Sequence, residues 1–113
     1  MSDPFVAEQI IEQVEAFFNL DVNVNGQVHR ISFFKMVGAL SGGRKMVYDD
    51  NSLMFFVDTA KLQGKVIIKL NGMDLYDVEF WKHKDLVGDK PTKVVNDVFF
   101  DQLTNILREE LGV

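Results

Sequence analysis

Apolar side chains recur at three- and four-residue intervals near the start of the chain, and glutamates occupy positions between them. This period is typical of one apolar helix face. Asp3 and Pro4 supply an N-cap and a first-turn proline. The pattern therefore predicts an amphipathic helix over about residues 4–19. The apolar residues of its stripe are Val6, Ala7, Ile10, Ile11, Val14, Phe17 and Phe18.

The middle of the chain changes to strand-like patterning. Asn25-Gly26 follows a short alternating run and is a strong signal for a two-residue hairpin loop. We expect a longer strand over Val28–Val37 after this turn. Further on, Arg44–Tyr48 and Leu53–Asp58 are predicted to pair as a second hairpin.

The most regular segment is a third predicted hairpin, formed by Lys65–Leu70 and Asp74–Trp81. We expect a three-residue connection, Asn71–Met73, which pairs Val66 with Val78. A one-residue slip would move every side chain to the other face, so the apolar pattern requires an odd-length connection. The shared apolar face then carries Val66, Ile68, Leu70, Tyr76, Val78 and Phe80.

The C-terminal part is predicted to contain a loop, a short extended piece and a helix. Residues 82–92 are polar and include a glycine and a proline, which favours a loop. An extended piece follows at 93–95, and Asn96 is the expected cap of a helix over about 97–111. Gly112 is the expected stop.

These elements predict a single α+β domain over residues 1–113. An N-terminal helix precedes an antiparallel meander of about six strands over about residues 21–82, and a C-terminal helix packs on that sheet. The length of 113 residues fits one domain.

Composition narrows the function mainly by exclusion. The chain has 17 acidic against 12 basic residues, a formal charge of −5, and no cysteine. Cysteine nucleophiles, thiolate metal sites and thiol redox chemistry are therefore excluded. The acidic balance argues against duplex nucleic acid as a partner. Without a membrane-spanning apolar run or a secretory start, we expect a cytoplasmic protein that does not contact membranes.

A glycine-rich segment over Gly38–Lys45 resembles a phosphate-binding loop but departs from it. Arg44 stands where lysine is required, and Lys45 stands where a magnesium-binding hydroxyl belongs. A strand is predicted to follow, so no helix N-terminus is available for a phosphate. An inter-strand loop is the favoured interpretation, with anion contacts by Gly42, Gly43, Arg44 and Lys45 as an alternative hypothesis.

Other polar groups give no catalytic constellation. Trp81 and Lys82 belong to an aromatic and cationic cluster that can stack on and neutralise a nucleotide, which adds them to the hypothetical anion site. The two histidines have no metal-ligand spacing, and the acidic residues near the third hairpin alternate as a solvated strand face does. The sequence thus predicts no catalytic residue, cofactor or metal, and we interpret the protein as a non-enzyme.

Eight of the ten phenylalanines occur as adjacent pairs. The pairs at 17–18 and 99–100 are predicted on helical stripes, where a core role suffices. The other two pairs are predicted on strands, where neighbouring side chains point to opposite faces. Because one member of each strand pair must face away from the other, we expect a partner interface among Phe33, Phe34, Phe55 and Phe56.

From Gly38 onward the sequence resembles a group of small bacteriophage and prophage proteins that has no established activity. The resemblance is carried by Val47-Tyr48, by Asn51-Ser52-Leu53 and above all by Lys69–Phe80, which contains Leu-Asn-Gly-Met-Asp-Leu-Tyr-Asp-Val-Glu-Phe. The closing segment from Asn96 is also similar. This resemblance implies a protein made inside a bacterial cell by a mobile element, and it supplies no catalytic residue.

The sequence therefore favours a binding protein that acts through protein–protein contacts, as a modulator or inhibitor of a host defence protein. Self-association is the simplest form of such contacts, and a homodimer the commonest. The alternatives are a structural part of a virion or replication complex, and a protein that sequesters a small anion or nucleotide at the Gly38–Lys45 loop.

Overall fold

The computed structural model describes residues 5–18, 20–38, 45–49, 51–82 and 90–113. Within these ranges the chain forms a long N-terminal helix, a single-turn helix and a C-terminal helix. Their bounds are α1 Phe5–Phe17, α2 Phe33–Met36 and α3 Leu103–Leu111.

The strands of the described ranges form two antiparallel sheets. A two-stranded sheet contains β1 and β2, and a five-stranded sheet has the order β3-β4-β5-β6-β7. The α+β class and the terminal helices are confirmed, but one meander of about six strands is not. The strand bounds are β1 Asp21–Val24, β2 Gln27–Arg30, β3 Lys45–Asp49, β4 Ser52–Asp58, β5 Gln63–Leu70, β6 Tyr76–Lys82 and β7 Lys93–Val98.

The first hairpin has the predicted two-residue loop. Asn25 and Gly26 both have positive φ, at 52° and 83°, as the mirror-image turns that fit twisted strands require. The side-chain oxygen of Asn23 accepts the main-chain N–H of Gly26 at 3.1 Å. This local chemistry explains why the sequence pattern was sufficient here.

The predicted strand over residues 28–37 is wrong, because β2 ends at Arg30 and α2 follows. The hydroxyl of Ser32 and the main-chain N–H of Phe33 both donate to the carboxylate of Glu15 on α1. Glu15 thereby satisfies two hydrogen-bond donors at the start of α2. A strand over the same residues would place these donors elsewhere. The short helix turns the chain back towards α1 and separates the two sheets.

The third hairpin keeps the predicted apolar face but shifts its pairing by two residues. Val66 faces Phe80 rather than Val78, and the connection is the five-residue Asn71–Leu75 rather than a three-residue turn. The side-chain oxygen of Asn71 accepts two main-chain N–H groups of this turn, at 2.8 and 3.2 Å. Both lengths are odd, so the alternation pattern alone did not distinguish them.

The last strand is longer than predicted, and the helix after it begins later. Asn96 lies within β7 and does not cap α3, which begins at Leu103. Asp97 adopts a positive φ of 57° at a bulge opposite β6. Its main-chain N–H donates to the carboxylate of Asp77 at 3.0 Å. Strand pairing resumes after the bulge, so the sheet continues to Val98.

The core lies between α1, α2, α3 and one face of the five-stranded sheet. The hydroxyl of Thr104 on α3 donates to the carbonyl of Val14 on α1 at 2.9 Å, which satisfies a buried polar group between the helices. The predicted stop at Gly112 is confirmed by its left-handed conformation. Fully buried core residues include Ile10, Val14, Leu53, Val66, Ile68, Val78, Leu103, Leu107 and Leu111.

Candidate protein-binding surface

Three of the four phenylalanines predicted at a partner interface are buried. Phe33 and Phe34 lie on α2 rather than on a strand, and they and Phe55 are fully inaccessible. With Phe18 they form a chain of edge-to-face contacts, with successive ring centroids 5.2, 5.4 and 5.1 Å apart. Aromatic quadrupoles favour this geometry. Phe33, Phe34 and Phe55 therefore belong to the core, and their assignment to a surface is wrong.

Phe56 lies on the outer face of the sheet, away from its buried neighbour Phe55, as the alternation of side chains along a strand predicted. Its cross-strand partner is Lys65. The ammonium group of Lys65 lies 4.8 Å from the ring centroid of Trp81 and covers that ring. Beside Phe56, the ammonium group of Lys65 therefore covers the ring of Trp81 on the outer face.

Further charged groups cover the same outer face. The ammonium of Lys69 lies 2.9 Å from the carboxylate of Glu79, and the indole N–H of Trp81 donates to Glu79 at 3.1 Å. These contacts satisfy polar atoms across two strands. The described part of the outer face thus combines these paired charges with exposed apolar side chains, among them Phe56 and Val94.

Among the side chains that the structure describes, the most exposed aromatic ones lie at the junction of β7 and α3. Phe99 and Phe100 are 59% and 53% exposed, and Phe17 at the end of α1 is 39% exposed. The rings of Phe17 and Phe100 meet edge to face, with centroids 5.9 Å apart. Sequence reasoning missed Phe99 and Phe100 because it placed this pair on a helix stripe, where a core role was expected. Since β7 continues to Val98, Phe99 and Phe100 fall in the connection instead.

Met73 emerges at the same end of the sheet as these rings. It lies in the connection between β5 and β6 and is 65% exposed. The side-chain amide of Asn71 donates to the carboxylate of Asp97 at 2.9 Å, which ties this turn to the end of β7. Four exposed apolar side chains are thereby grouped at one end of the sheet. We call this surface the apolar tip, and it consists of Phe17, Met73, Phe99 and Phe100.

A hydrogen bond behind the apolar tip fixes α1 against the sheet. The hydroxyl of Tyr76 on β6 donates to the side-chain oxygen of Gln13 on α1, at 2.5 Å. Burial raises the pKa of Tyr76 above its usual value. Because Tyr76 also pairs with Val98, the helix and the strand that present the tip are joined.

The chain around the apolar tip is acidic. The segments that build it, residues 5–18, 70–81 and 94–107, contain no lysine or arginine. Exposed carboxylates flank the tip at Asp74, Asp97 and Asp101. An apolar centre with a negative rim is therefore what this end of the molecule presents to a partner.

Three of the six residues of the hypothetical anion site, Lys45, Trp81 and Lys82, lie in the described ranges. Gly42, Gly43 and Arg44 lie outside the described residues. Lys45 begins β3, three strands away from β6, so its backbone lies roughly 14 Å from that strand. Trp81 and Lys82 are neighbours on β6 and point to opposite faces of the sheet.

No metal site emerges among the residues that the structure describes, where no group of three acidic or histidine side chains is placed to hold an ion. Across the same ranges, no helix has the length and apolar character needed to cross a membrane. Comparisons with protein families, with curated proteins and with solved structures find no match to this chain.

Proposed function

We propose that this protein is a non-enzymatic binding protein and that its apolar tip contacts another protein. The observation that carries the proposal is the exposure of Phe99 and Phe100, both more than half accessible beside Phe17. Contiguous aromatic surface of this kind marks interaction sites more often than scattered single apolar residues do. Aromatic side chains also dominate the energetics of protein interfaces.

The size of the tip suits the centre of an interface. A phenylalanine buries about 150–250 Å², so the exposed parts of Phe17, Phe99 and Phe100 amount to roughly 300 Å². A stable interface buries about 800 Å² on each partner. The tip therefore supplies the apolar centre, and the surrounding polar residues supply the rim.

The charge around the tip indicates the chemistry of the partner. Since Asp74, Asp97 and Asp101 flank the apolar side chains, the complementary surface is an apolar pocket rimmed by lysine or arginine. A second copy of this chain would bring the same carboxylates together. This repulsion favours a different, basic partner over the homodimer expected from the sequence.

The resemblance of the sequence to bacteriophage and prophage proteins supports the biological role that we propose. We propose a host protein, such as a defence component, as the target of the tip. A structural component of a virion or replication complex would use the same surface. The identity of the partner distinguishes these two roles.

Affinity capture from bacterial cells that express the tagged chain tests this proposal. The wild-type chain, the double variant F99S/F100S and the control V28S are compared, since Val28 is exposed on β2 and is not one of the four tip residues. We expect a stoichiometric partner with wild type and with V28S, and its loss with F99S/F100S. Native mass spectrometry of the purified chain identifies self-association. A partner retained by F99S/F100S would contradict the proposal.

A further inference from the structure

The first hairpin, formed by β1 and β2, is a two-stranded sheet that contributes no residue to the buried core. Every residue of both strands is exposed. Within the described ranges, the two strands pair only with each other. A two-stranded hairpin is marginally stable in water on its own, and additional strands stabilise it. The hairpin therefore offers strand edges to which another strand can be added.

The outer edge of β1 directs two residues' backbone groups away from β2. The N–H of Ile31 donates to the carbonyl of Leu20 at 2.9 Å and continues the ladder of the hairpin. Because antiparallel strands alternate between bonded and non-bonded pairs, every second residue counted from Leu20 directs its N–H and C=O to β2. Asp21 and Asn23 lie between these residues, so their groups point to the outer edge, where no other described strand lies.

β1 lacks the features that keep an edge strand from pairing. Natural edge strands are protected by lysine, by proline or by a bulge. β1 contains neither residue type, and its register with β2 runs without interruption from Asp21 to Val24. Its single charge, the carboxylate of Asp21, lies 3.5 Å from Nε of Arg30. The sequence of β1 thus does not oppose the approach of another strand.

We propose that the outer edge of β1 pairs antiparallel with the same edge in a second copy of this chain. The two-fold axis passes at Val22, so Asp21 of each copy lies opposite Asn23 of the other. These residues exchange N–H···O=C bonds in both directions, which gives four bonds across the interface. The two hairpins then form one sheet of four strands, in the order β2-β1-β1-β2.

The side chains of β1 are complementary to themselves in this register. Leu20, Val22 and Val24 point to one face, where the two valines are exposed and Leu20 is half-buried. Val22 meets its own copy and Val24 meets Leu20, so this face carries an unbroken apolar row. On the other face the side-chain amide of Asn23 meets the carboxylate of Asp21. No two like charges lie directly opposite, which distinguishes this contact from the acidic apolar tip.

The outer edge of β2 is not complementary to itself in the same way. Its outward-facing residues are Val28 and Arg30, the cross-strand partners of Asn23 and Asp21. Four bonds about a two-fold axis would place Arg30 opposite Val28, and His29 opposite its own copy. Charged and apolar side chains would then face each other. The comparison favours β1 as the edge that pairs.

Sedimentation equilibrium tests the proposal with a matched pair of proline variants. Asp21→Pro removes an outward-facing N–H of β1, and Arg30→Pro removes one of β2 at the residue directly opposite. Both variants break the same ion pair, and both place proline where an edge strand tolerates it. Because the interface is small, we expect weak association. Between about 10 and 500 µM, the mass of wild type and of Arg30→Pro should rise towards that of a dimer, and Asp21→Pro should stay monomeric.

Hydrogen exchange of the wild-type chain locates the pairing edge without any substitution. At about 500 µM the amides of Asp21 and Asn23 should exchange at least about twofold more slowly than at about 10 µM, and those of Val28 and Arg30 should not change. If both prolines abolish the dimer, this measurement decides alone. A wild-type chain that stays monomeric, a dimer retained by Asp21→Pro, or equal protection of Val28 and Arg30 would overturn the proposal.

This pairing and the proposed function fail independently. F99S/F100S leaves β1 unchanged, so it should dimerise as the wild type does even where it loses the partner of the apolar tip. A dimer that is lost in F99S/F100S would assign self-association to the tip and would overturn pairing through β1.

Discussion

The ring of Phe17 packs edge to face against the ring of Phe100, with their centroids 5.9 Å apart, and joins the end of the first helix to the connection before the last one. Such a pair contributes about 0.5–1.5 kcal/mol beyond its buried area. Both rings nevertheless remain 39% and 53% exposed. The contact holds the apolar tip together and leaves its aromatic faces accessible to a partner.

Buried and exposed phenylalanines should differ sharply in their effect on stability. Phe34→Ala removes a fully buried ring between Phe33 and Phe55, and we expect the free energy of unfolding to fall by about 3–5 kcal/mol. Phe99→Ala removes an exposed ring, and its effect should stay below about 1 kcal/mol. Urea denaturation followed by circular dichroism measures both. Comparable losses in the two variants would show that Phe99 is a core residue.

Gly64 is required by the close approach of β5 and β6. A Cβ atom at Gly64 would lie 1.8 Å from the main-chain oxygen of Trp81, so the strands must separate. We expect Gly64→Ala to lower the free energy of unfolding by about 3 kcal/mol or more.

Gly72 provides the matched control for this substitution. A Cβ atom there meets no atom within 4 Å, so Gly72→Ala should change stability by no more than about 0.5 kcal/mol. Thermal denaturation of the two variants compares them directly. A Gly64→Ala protein as stable as Gly72→Ala would mean that β5 and β6 are paired differently.

The carboxylate of Glu15 should be needed for α2. Because it accepts from Ser32 and from the N–H of Phe33, Glu15→Ala is expected to cost about 1–2 kcal/mol, as the loss of a helix cap does. Glu12→Ala, at an exposed position of the same helix, should cost less than about 0.5 kcal/mol. Hydrogen exchange at the amides of α2 should accelerate in the first variant alone. Equal acceleration in both would refute the cap.

The buried hydroxyl of Tyr76 predicts a loss of stability in alkaline solution. Burial raises its pKa in the folded state, whereas the unfolded side chain ionises near pH ~10. The unfolded state then binds fewer protons, so this contribution to stability is complete below pH ~10 and is lost as the pH rises through the folded-state pKa. Tyr76→Phe should flatten this decline, measured by urea denaturation over the same pH range. An unchanged slope would assign the decline to other groups.

Sequence reasoning succeeded where local chemistry decides the structure. Asn25-Gly26 supplies both positive-φ residues of its own turn, and the alternation along β5 and β6 fixes which residues share the core face. The length of their connection was not predictable in this way. The side chain of Asn71 organises a five-residue turn, and this length preserves the same alternation.

Sequence reasoning failed where a distant residue decides the structure. The helix at Phe33 and Phe34 depends on Glu15, which reaches it from another element. The exposure of Phe99 depends on the bulge at Asp97, whose N–H binds Asp77 on the neighbouring strand. Neither contact has a local sequence signature. As a result Phe33 and Phe34, predicted at a partner interface, are buried, and Phe99 and Phe100, predicted in the core, are exposed.

Site-specific photo-crosslinking tests the proposed role of the apolar tip most directly. A benzoyl-phenylalanine side chain replaces Phe100 in one protein and Val28, exposed on the first hairpin, in the other. Both proteins are irradiated in expressing bacterial cells. We expect one stoichiometric crosslinked protein from position 100, with a basic contact surface, and none from position 28. A chain that stays uncrosslinked at position 100, or that gives the same product from both positions, would contradict this expectation.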